Sequence, residues 1–266
     1  MLDKFNRELN YLRISVTDRC NLRCTYCMPE AGIKLFRHED ILSFSEIAGF
    51  TRVAVSKGVT KVRITGGEPL VRKGIEALVR MISDITGIED LSMTTNGTLL
   101  KKFAWELKSA GLHRVNISLD TVDPVKFSEV TRIGNLSDVF EGIDAAKKAG
   151  LLPVKINCVI KDSNEEEEAK AVAGYCKENG LEIRYIKQMD LVRGHFSVVE
   201  GGTGGDCALC NRLRLTSNGK LKPCLFSDME FDIRELGFEN AIKLAAKLKP
   251  ECGSRNATGA FYNIGG

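Results

Sequence analysis

The chain has 266 residues, 43% of them hydrophobic, so it can bury one large core, with or without a smaller appendage. Its 38 Lys and Arg against 35 Asp and Glu leave a net charge of +3, which gives no reason to expect nucleic acid or an anionic membrane as a partner. No apolar run approaches the ~18 residues of a membrane span, and nine cysteines are more typical here of metal ligands and buried thiols than of disulfides, so we expect a cytoplasmic protein.

Short apolar strands alternate with segments of helical period as far as residue 190. The predicted strands are Leu12–Thr17, Lys61–Thr65, Leu91–Thr95, Arg114–Leu119, Val154–Ile160 and Glu182–Gln188. The predicted helices between them are Ser45–Lys57, Gly74–Ile85, Leu99–Ala110, Leu136–Ala149 and Glu165–Asn179. This alternation indicates an α/β fold with a parallel sheet, and a partial (β/α)6 barrel and a doubly wound sheet fit it equally well.

The alternation stops after Met189. The following loop-like segment ends in the glycine-rich run Gly201–Gly205, which is typical of a flexible linker. A hairpin is predicted around Asn218-Gly219, followed by helical stretches from Phe231 to Leu248. We therefore expect residues 1–190 to form one domain and residues 191–266 a small C-terminal α+β domain.

Polar and glycine residues follow the predicted strands. They are Cys20–Cys27 after the first strand, Gly66–Pro69 after the second, Thr94–Gly97 after the third, Ser118–Asp120 after the fourth and Met189 after the sixth. In parallel α/β folds the groups that do chemistry sit at the C-terminal ends of strands. We expect these groups to share one rim.

Two sets of three cysteines have the spacing of metal ligands. Cys20, Cys24 and Cys27 form a CxxxCxxC motif, and the second set consists of Cys207, Cys210 and Cys224. Three thiolates leave one iron of a four-iron cluster open to another ligand, whereas structural zinc usually has four protein ligands. A zinc knuckle is the alternative for the first set, and for the second a zinc site completed by Cys252, His195 or Asp206.

Several cations lie within or at the ends of apolar strands, where an unpaired charge is costly. They are Arg13, Arg63, Lys155 and Arg184, with Lys61 as a further candidate. If they face a barrel interior, they need anions, and a triphosphate would supply them. The alternative is a set of internal ion pairs with Asp18, Glu68 or Asp120.

Arg212 and Arg214 alternate on one predicted strand, so both point to the same face, either a cavity or solvent. Cys158 and Cys176 occupy apolar positions of a strand and a helix and are expected to be buried thiols.

The run Ser15–Pro29 (SVTDRCNLRCTYCMP), together with Gly66-Gly-Glu-Pro69, resembles the radical S-adenosylmethionine (SAM) superfamily and, within it, the MoaA family of GTP 3′,8-cyclases. The second cysteine set with its surroundings, Cys210–Thr216 and Cys224–Phe226, and the C-terminal Gly265-Gly266 also resemble that family. The similarity extends from Tyr11 to Gly266, although the segment 190–206 is shorter than is usual in the family.

The resemblance implies a partial (β/α)6 TIM-type barrel, two [4Fe–4S] clusters and SAM as cofactors, and GTP as substrate. It implies a lyase, a GTP 3′,8-cyclase that forms 3′,8-cyclo-7,8-dihydro-GTP for molybdenum cofactor biosynthesis. A flavodoxin or ferredoxin as electron donor, a downstream pterin synthase and a homodimer are the implied partners. A related enzyme acting on a peptide or another small molecule, and a zinc-binding scaffold without catalysis, are the alternatives.

The resemblance also assigns roles to individual residues. The first three cysteines would bind the SAM cluster, and Cys207, Cys210 and Cys224 a second cluster whose open iron faces the guanine. The implied SAM contacts are Tyr26, Gly67, Glu68, Thr95, Ser118 and Met189. The implied GTP contacts are Arg13, Arg63, Lys155, Arg184, Arg212 and Arg214, and the last two are also expected to be catalytic.

Overall fold

The computed structural model of the chain describes residues 1–257 and 261–264. Within these ranges the strands are β1 Tyr11–Ser15, β2 Lys61–Thr65, β3 Asp90–Thr95, β4 Arg114–Ser118, β5 Lys155–Ile160, β6 Glu182–Lys187, β7 Arg212–Leu215, β8 Lys220–Lys222 and β9 Phe231–Asp232. The helices are α1 Phe44–Ser56, α2 Ile75–Ser83, α3 Leu100–Ser109, α4 Pro124–Thr131, α5 Leu136–Lys148, α6 Glu167–Asn179, α7 Ile233–Leu236, α8 Phe238–Lys247 and α9 Phe261–Ile264.

The strands form one sheet in the order β6-β5-β4-β3-β2-β1-β7-β8-β9. Strands β1 to β6 are parallel, β7 pairs parallel with β1, and β8 and β9 follow antiparallel. A doubly wound sheet reverses its strand order at a switch point. Since β1 to β6 are adjacent in chain order, the fold is the partial (β/α)6 barrel.

The expected strands are confirmed to within two residues, and so are the five expected helices. The Asn218-Gly219 hairpin is also confirmed, as the turn between β7 and β8. The expected helical stretch near the C-terminus is broken at Gly237, whose φ of 73° only glycine adopts readily. Sequence reasoning missed α4, although Asp123 caps it and Pro124 opens it.

One core joins the barrel to the C-terminal residues. Leu12 and Ile14 of β1 are fully buried in the same cluster as Leu213 and Leu215 of β7. Strands β7 to β9 therefore extend the barrel sheet, and the expected domain boundary at residue 190 stays a prediction.

The glycine-rich run is not the free linker that its composition predicts. Glu200 pairs with Tyr185 of β6, which places Gly201–Gly205 along the sheet edge. A Cβ on Gly205 would lie 1.9 Å from the carbonyl oxygen of Ser197, so glycine is needed for close packing at this position. None of the described helices has both the length and the apolar character required to cross a bilayer.

Candidate active site

A cavity of about 200 Å³ lies at the C-terminal ends of the barrel strands. All three cysteines of the first set line it, as do residues that lie in or directly after β2 to β6. Five of the expected SAM contacts are in its wall: Tyr26, Gly67, Thr95, Ser118 and Met189. The expected rim is therefore one cavity.

The first cysteine set lies in a tight loop. The N–H groups of Cys27 and Met28 both donate to the carbonyl of Cys24, at 3.0 and 2.9 Å. Burial, followed by the charge of a neighbouring cysteine, raises the pKa of Cys24 and of Cys27 to about 12. Such thiols ionise only beside a positive charge, which the irons of a cluster provide.

The arrangement of possible ligand side chains bears on which metal the cysteines could bind. Among the described residues, no three His, Cys, Asp or Glu side chains converge closely enough to bind a single metal ion. Each thiolate of a four-iron cluster binds a different iron, so such ligands lie farther apart than those of a zinc ion. The described residues therefore do not form a three-ligand site for a single zinc ion.

The Gly66–Pro69 turn packs directly on the chain segment that leads into Cys20. Gly67 N–H donates to the Thr17 carbonyl at 2.7 Å, and Glu68 N–H to the Arg19 carbonyl at 2.8 Å. A Cβ on Gly67 would lie 2.3 Å from the Arg19 oxygen. Gly67 thus permits a backbone contact that fixes this turn against the cysteine loop.

Glu68 is buried and is not in the cavity wall. Its carboxylate accepts hydrogen bonds from Leu70 N–H at 3.0 Å, Thr95 Oγ1 at 2.8 Å and Asn96 N–H at 2.7 Å. Burial raises its pKa to about 7. Glu68 therefore ties the end of β2 to the end of β3, and its direct contact with SAM stays a prediction.

Tyr26 has a partner that sequence reasoning did not assign to it. Its hydroxyl donates to Asp120 Oδ2 at 2.8 Å, and Asp120 Oδ1 accepts from Val159 N–H at 2.8 Å. Asp120 therefore anchors the Tyr26 ring in the cavity wall. The position of Asp120 directly after a predicted strand was the signal for such a role.

A second cavity, of about 490 Å³, adjoins the first. Cys207, Cys210 and Cys224 line it, and Asn157, Ile186 and Met189 belong to the walls of both cavities. The glycine-rich run Gly201–Gly205 forms part of its wall. The two cysteine sets thus open onto adjoining spaces.

The larger cavity is strongly basic. Seven cations and two acids line it among the described residues: Arg13, Lys61, Arg63, Arg114, Arg184, Arg212 and Arg214, with Asp90 and Asp206. Arg63, Arg13 and Arg214 are register partners on the adjacent strands β2, β1 and β7. We call these three side chains the arginine row.

The arginine row concentrates like charges in a buried place. Burial, followed by the charge of Arg214, lowers the pKa of Arg13, and burial with Arg212 lowers that of Arg214 to about 10. Like charges directly opposite one another destabilise a sheet. A bound polyanion would remove this cost.

The three acids that the sequence offered as internal ion-pair partners make other contacts. Asp18 pairs with Arg19, while Glu68 and Asp120 accept the hydrogen bonds described above. Arg184 lines the cavity, and its buried Nε has no partner among the described residues.

Lys155 does not lie in the cavity wall, where its expected contact with GTP would require it. Its ammonium pairs with Glu182, and it is not in the cavity wall, whereas Lys61 and Arg114 are. Arg114 was not singled out in the sequence, and it is held there by Asp90 at 2.5 Å. A role for Lys155 in binding phosphate stays a prediction.

Comparison with known proteins places the chain in a family. The model of the radical SAM superfamily matches residues 14–176, and that of the C-terminal region of molybdenum cofactor synthesis proteins matches residues 125–260. The GTP 3′,8-cyclase of Thermodesulfovibrio yellowstonii is 44% identical, over 89% of this chain and 88% of the relative. That of Alkaliphilus metalliredigens is 40% identical, over 94% of this chain and 93% of the relative.

The chain belongs to the GTP 3′,8-cyclase family of radical SAM enzymes. Its fold is also that of Streptococcus suis SuiB bound to S-adenosylmethionine, with a TM-score of 0.67 at 16% identity, covering 92% of this chain and 66% of that chain. SAM and [4Fe–4S] clusters are therefore cofactors of this chain.

Two buried cations, which sequence reasoning missed, donate hydrogen bonds to backbone carbonyls in and around the second cysteine set. Lys249 donates to the carbonyls of Arg212 and Pro223, at 2.8 and 2.5 Å. Burial opposes ionisation of Cys210, but the Lys249 ammonium and nearby groups outweigh it and lower the pKa of this thiol. Cys210 is thereby favoured as a thiolate ligand.

The other buried cation is Arg7, in residues 1–10, which precede β1 and are called here the N-terminal arm. Its guanidinium donates to the carbonyls of Cys207, Pro250 and Glu251, at 2.6 to 2.7 Å. Its Nε donates to Asp3 at 2.7 Å. Of the four partners of Arg7, the three other than Asp3 lie 200 to 244 positions away, so this residue leaves no local signal in the sequence.

The C-terminal helix α9 lies beside the smaller cavity. Tyr262 lines the smaller cavity, and Ile264 is buried beside Leu225 and Phe226. Gly265 and Gly266, which the resemblance places in the active site, lie outside the described residues.

Proposed function

We propose that this chain is a GTP 3′,8-cyclase, which converts GTP to 3′,8-cyclo-7,8-dihydro-GTP in molybdenum cofactor biosynthesis. The observation that carries the proposal is the pair of adjoining cavities, each lined by one cysteine set, with the arginine row in the larger one. The family relatives are named for this reaction.

Cys20, Cys24 and Cys27 would hold the first cluster in the smaller cavity, beside SAM. When bound, the cluster and SAM supply the 5′-deoxyadenosyl radical that removes the 3′ hydrogen of the ribose. The role of the chain is to place the ribose against the wall shared by the cavities, at Asn157, Ile186 and Met189, and to keep water away from it.

The basic wall would hold the nucleotide. Arg13, Arg63 and Arg184 face the cavity from β1, β2 and β6, and bind the triphosphate through charge-assisted hydrogen bonds. Arg212 and Arg214 lie on β7, directly after the Cys207–Cys210 segment, and would contact the nucleotide on the side of the second cysteine set. Cys207, Cys210 and Cys224 would hold that cluster against the guanine.

A one-electron donor such as flavodoxin or ferredoxin would serve the first cluster, and a pterin synthase would take the product. Thiolate-bound clusters also suit a reducing compartment such as the cytoplasm.

The test is transfer of the ribose hydrogen. The reconstituted chain, given SAM, a reductant and GTP deuterated at the ribose 3′ carbon, should yield 5′-deoxyadenosine carrying the deuterium, measured by mass spectrometry. A preparation that cleaves SAM without acquiring deuterium would contradict the proposal and favour a peptide or another small molecule as substrate. The control uses GTP deuterated only at the ribose 2′ carbon. The 5′-deoxyadenosine formed in its presence should carry no deuterium.

A further inference from the structure

A fourth cysteine lies beside the second set. The Sγ of Cys252 is 3.0 Å from the Sγ of Cys207, while Cys252 itself is exposed to solvent. Neither the cluster assignment nor the proposed reaction uses Cys252.

Neighbouring groups keep the Cys207 and Cys252 side chains close together. One guanidinium, that of Arg7, donates both to the Cys207 carbonyl and to the Glu251 carbonyl, directly before Cys252. On the other side, a Cβ on Gly253 would lie 2.9 Å from the Sγ of Cys224. The chain segment at Cys252 is therefore packed against the second cysteine set.

We propose that Cys252 is the disulfide partner of Cys207 in the cluster-free chain, and that their reversible disulfide preserves Cys207 as a cluster ligand under oxidising conditions. Two sulfurs at 3.0 Å are too close to bind two corners of one cluster, but they need only a small side-chain movement to join. The inference rests on the proposed assignment of Cys207 to the second cluster.

The oxidant is a peroxide. Hydrogen peroxide converts one thiol to a sulfenic acid and releases water. The other thiol attacks the sulfenic sulfur, the S–S bond forms, and a second water leaves. The peroxide is reduced, the two thiols are oxidised, and a small dithiol later restores them. Without a partner, the sulfenic acid of Cys207 would proceed to the sulfinic acid, which such reductants do not reverse.

The test uses the full chain, freed of iron by chelation under argon and then treated with hydrogen peroxide. We expect a species about 2 Da lighter, since two hydrogens leave, and a cross-linked peptide that contains Cys207 and Cys252. After dithiothreitol, Cys207 of the wild-type chain should again be a free thiol that iodoacetamide alkylates, whereas in Cys252→Ser it should carry sulfinic acid, both read by peptide mass spectrometry. Cys176→Ala, which removes a buried thiol in α6, should behave as wild type.

Three results would overturn the proposal. They are a disulfide between Cys207 and Cys210 or Cys224, equal sulfinic acid at Cys207 with and without Cys252, and protection of Cys252 from iodoacetamide in the iron-loaded chain, which would make it a cluster ligand. The cross-link requires no cluster, so it distinguishes a failure of this inference from a failure of the proposed function.

Discussion

At the scale of single residues, the site depends on groups whose partners are mainly backbone atoms. The absence of a side chain at Gly67 lets the Arg19 carbonyl approach closely. The Glu68 carboxylate accepts hydrogen bonds from donors that follow β2 and lie at the end of β3. These contacts position the loop that carries the first cysteine set.

Replacing Gly67 with alanine should loosen this contact. The new Cβ would lie 2.3 Å from the Arg19 oxygen, so the turn and the cysteine loop must separate, at a cost of about 1–3 kcal/mol. We expect a lower melting temperature and loss of SAM binding, measured by thermal denaturation and calorimetry. Gly174→Ala, in α6 with no neighbour within 4 Å, is the control and should be neutral or slightly stabilising. Equal melting temperatures of the two variants would contradict the importance of the close contact between Gly67 and the Arg19 carbonyl.

Glu68 should make stability depend on pH. Its pKa is raised from 4.5 to about 7 in the folded chain, so the folded state binds the proton more tightly than the unfolded state. The stability that it contributes is complete below pH 4.5 and is lost as the pH rises through about 7. Glu68→Gln cannot titrate. The unfolding free energy of the wild type relative to this variant should therefore fall with rising pH, by on the order of 3 kcal/mol in urea titrations. A difference that is constant or rises with pH would be inconsistent with this.

At the scale of elements, the N-terminal arm supports the second cysteine set. Arg7 connects Asp3 to the chain at Cys207 and to the segment that follows α8. Three regions distant in sequence are thereby joined by one buried side chain.

Arg7→Met should release the second cysteine set and leave the first intact. It leaves three carbonyls without the guanidinium donor and the buried Asp3 carboxylate without its ion-pair partner, a change that costs about 3 kcal/mol or more. We expect about four irons per reconstituted chain in place of about eight, measured by iron analysis and by the spectrum of the remaining cluster. Lys4→Met, an exposed change in the same arm, should retain both clusters.

Sequence periodicity predicted the parallel strands because each has a short apolar run followed by a turn. The spacing of the cysteines and the glycine pair then predicted the smaller cavity. The larger cavity was predicted less well. Lys155 and Arg114 each begin a strand and each pairs with an acid, yet only Arg114 lines the larger cavity, a difference that no sequence pattern shows. Long-range partners such as Arg7 and Lys249 have no periodic pattern at all.

At the scale of the whole molecule, the dominant property is positive charge enclosed within the sheet. Arg63→Met should reduce the repulsion along the arginine row, so the nucleotide-free chain should melt no lower than wild type. GTP affinity should fall about 10-fold or more, because a charge-assisted contact is lost. Arg52→Met, exposed on α1, should change neither quantity. Calorimetric binding and thermal melts of the three proteins would check this, and an unchanged affinity for Arg63→Met would contradict the proposed phosphate site.

Strand β1 has β2 on one side and β7 on the other. Neighbouring strands lie about 4.8 Å apart, so hydrogen bonds across β1 set the separation of the two cysteine-bearing halves. The covalent connection through residues 190–206 does not determine that separation. A change in the length of this segment therefore need not move one cysteine set relative to the other, and its effect falls on the wall of the larger cavity, which the segment helps to form.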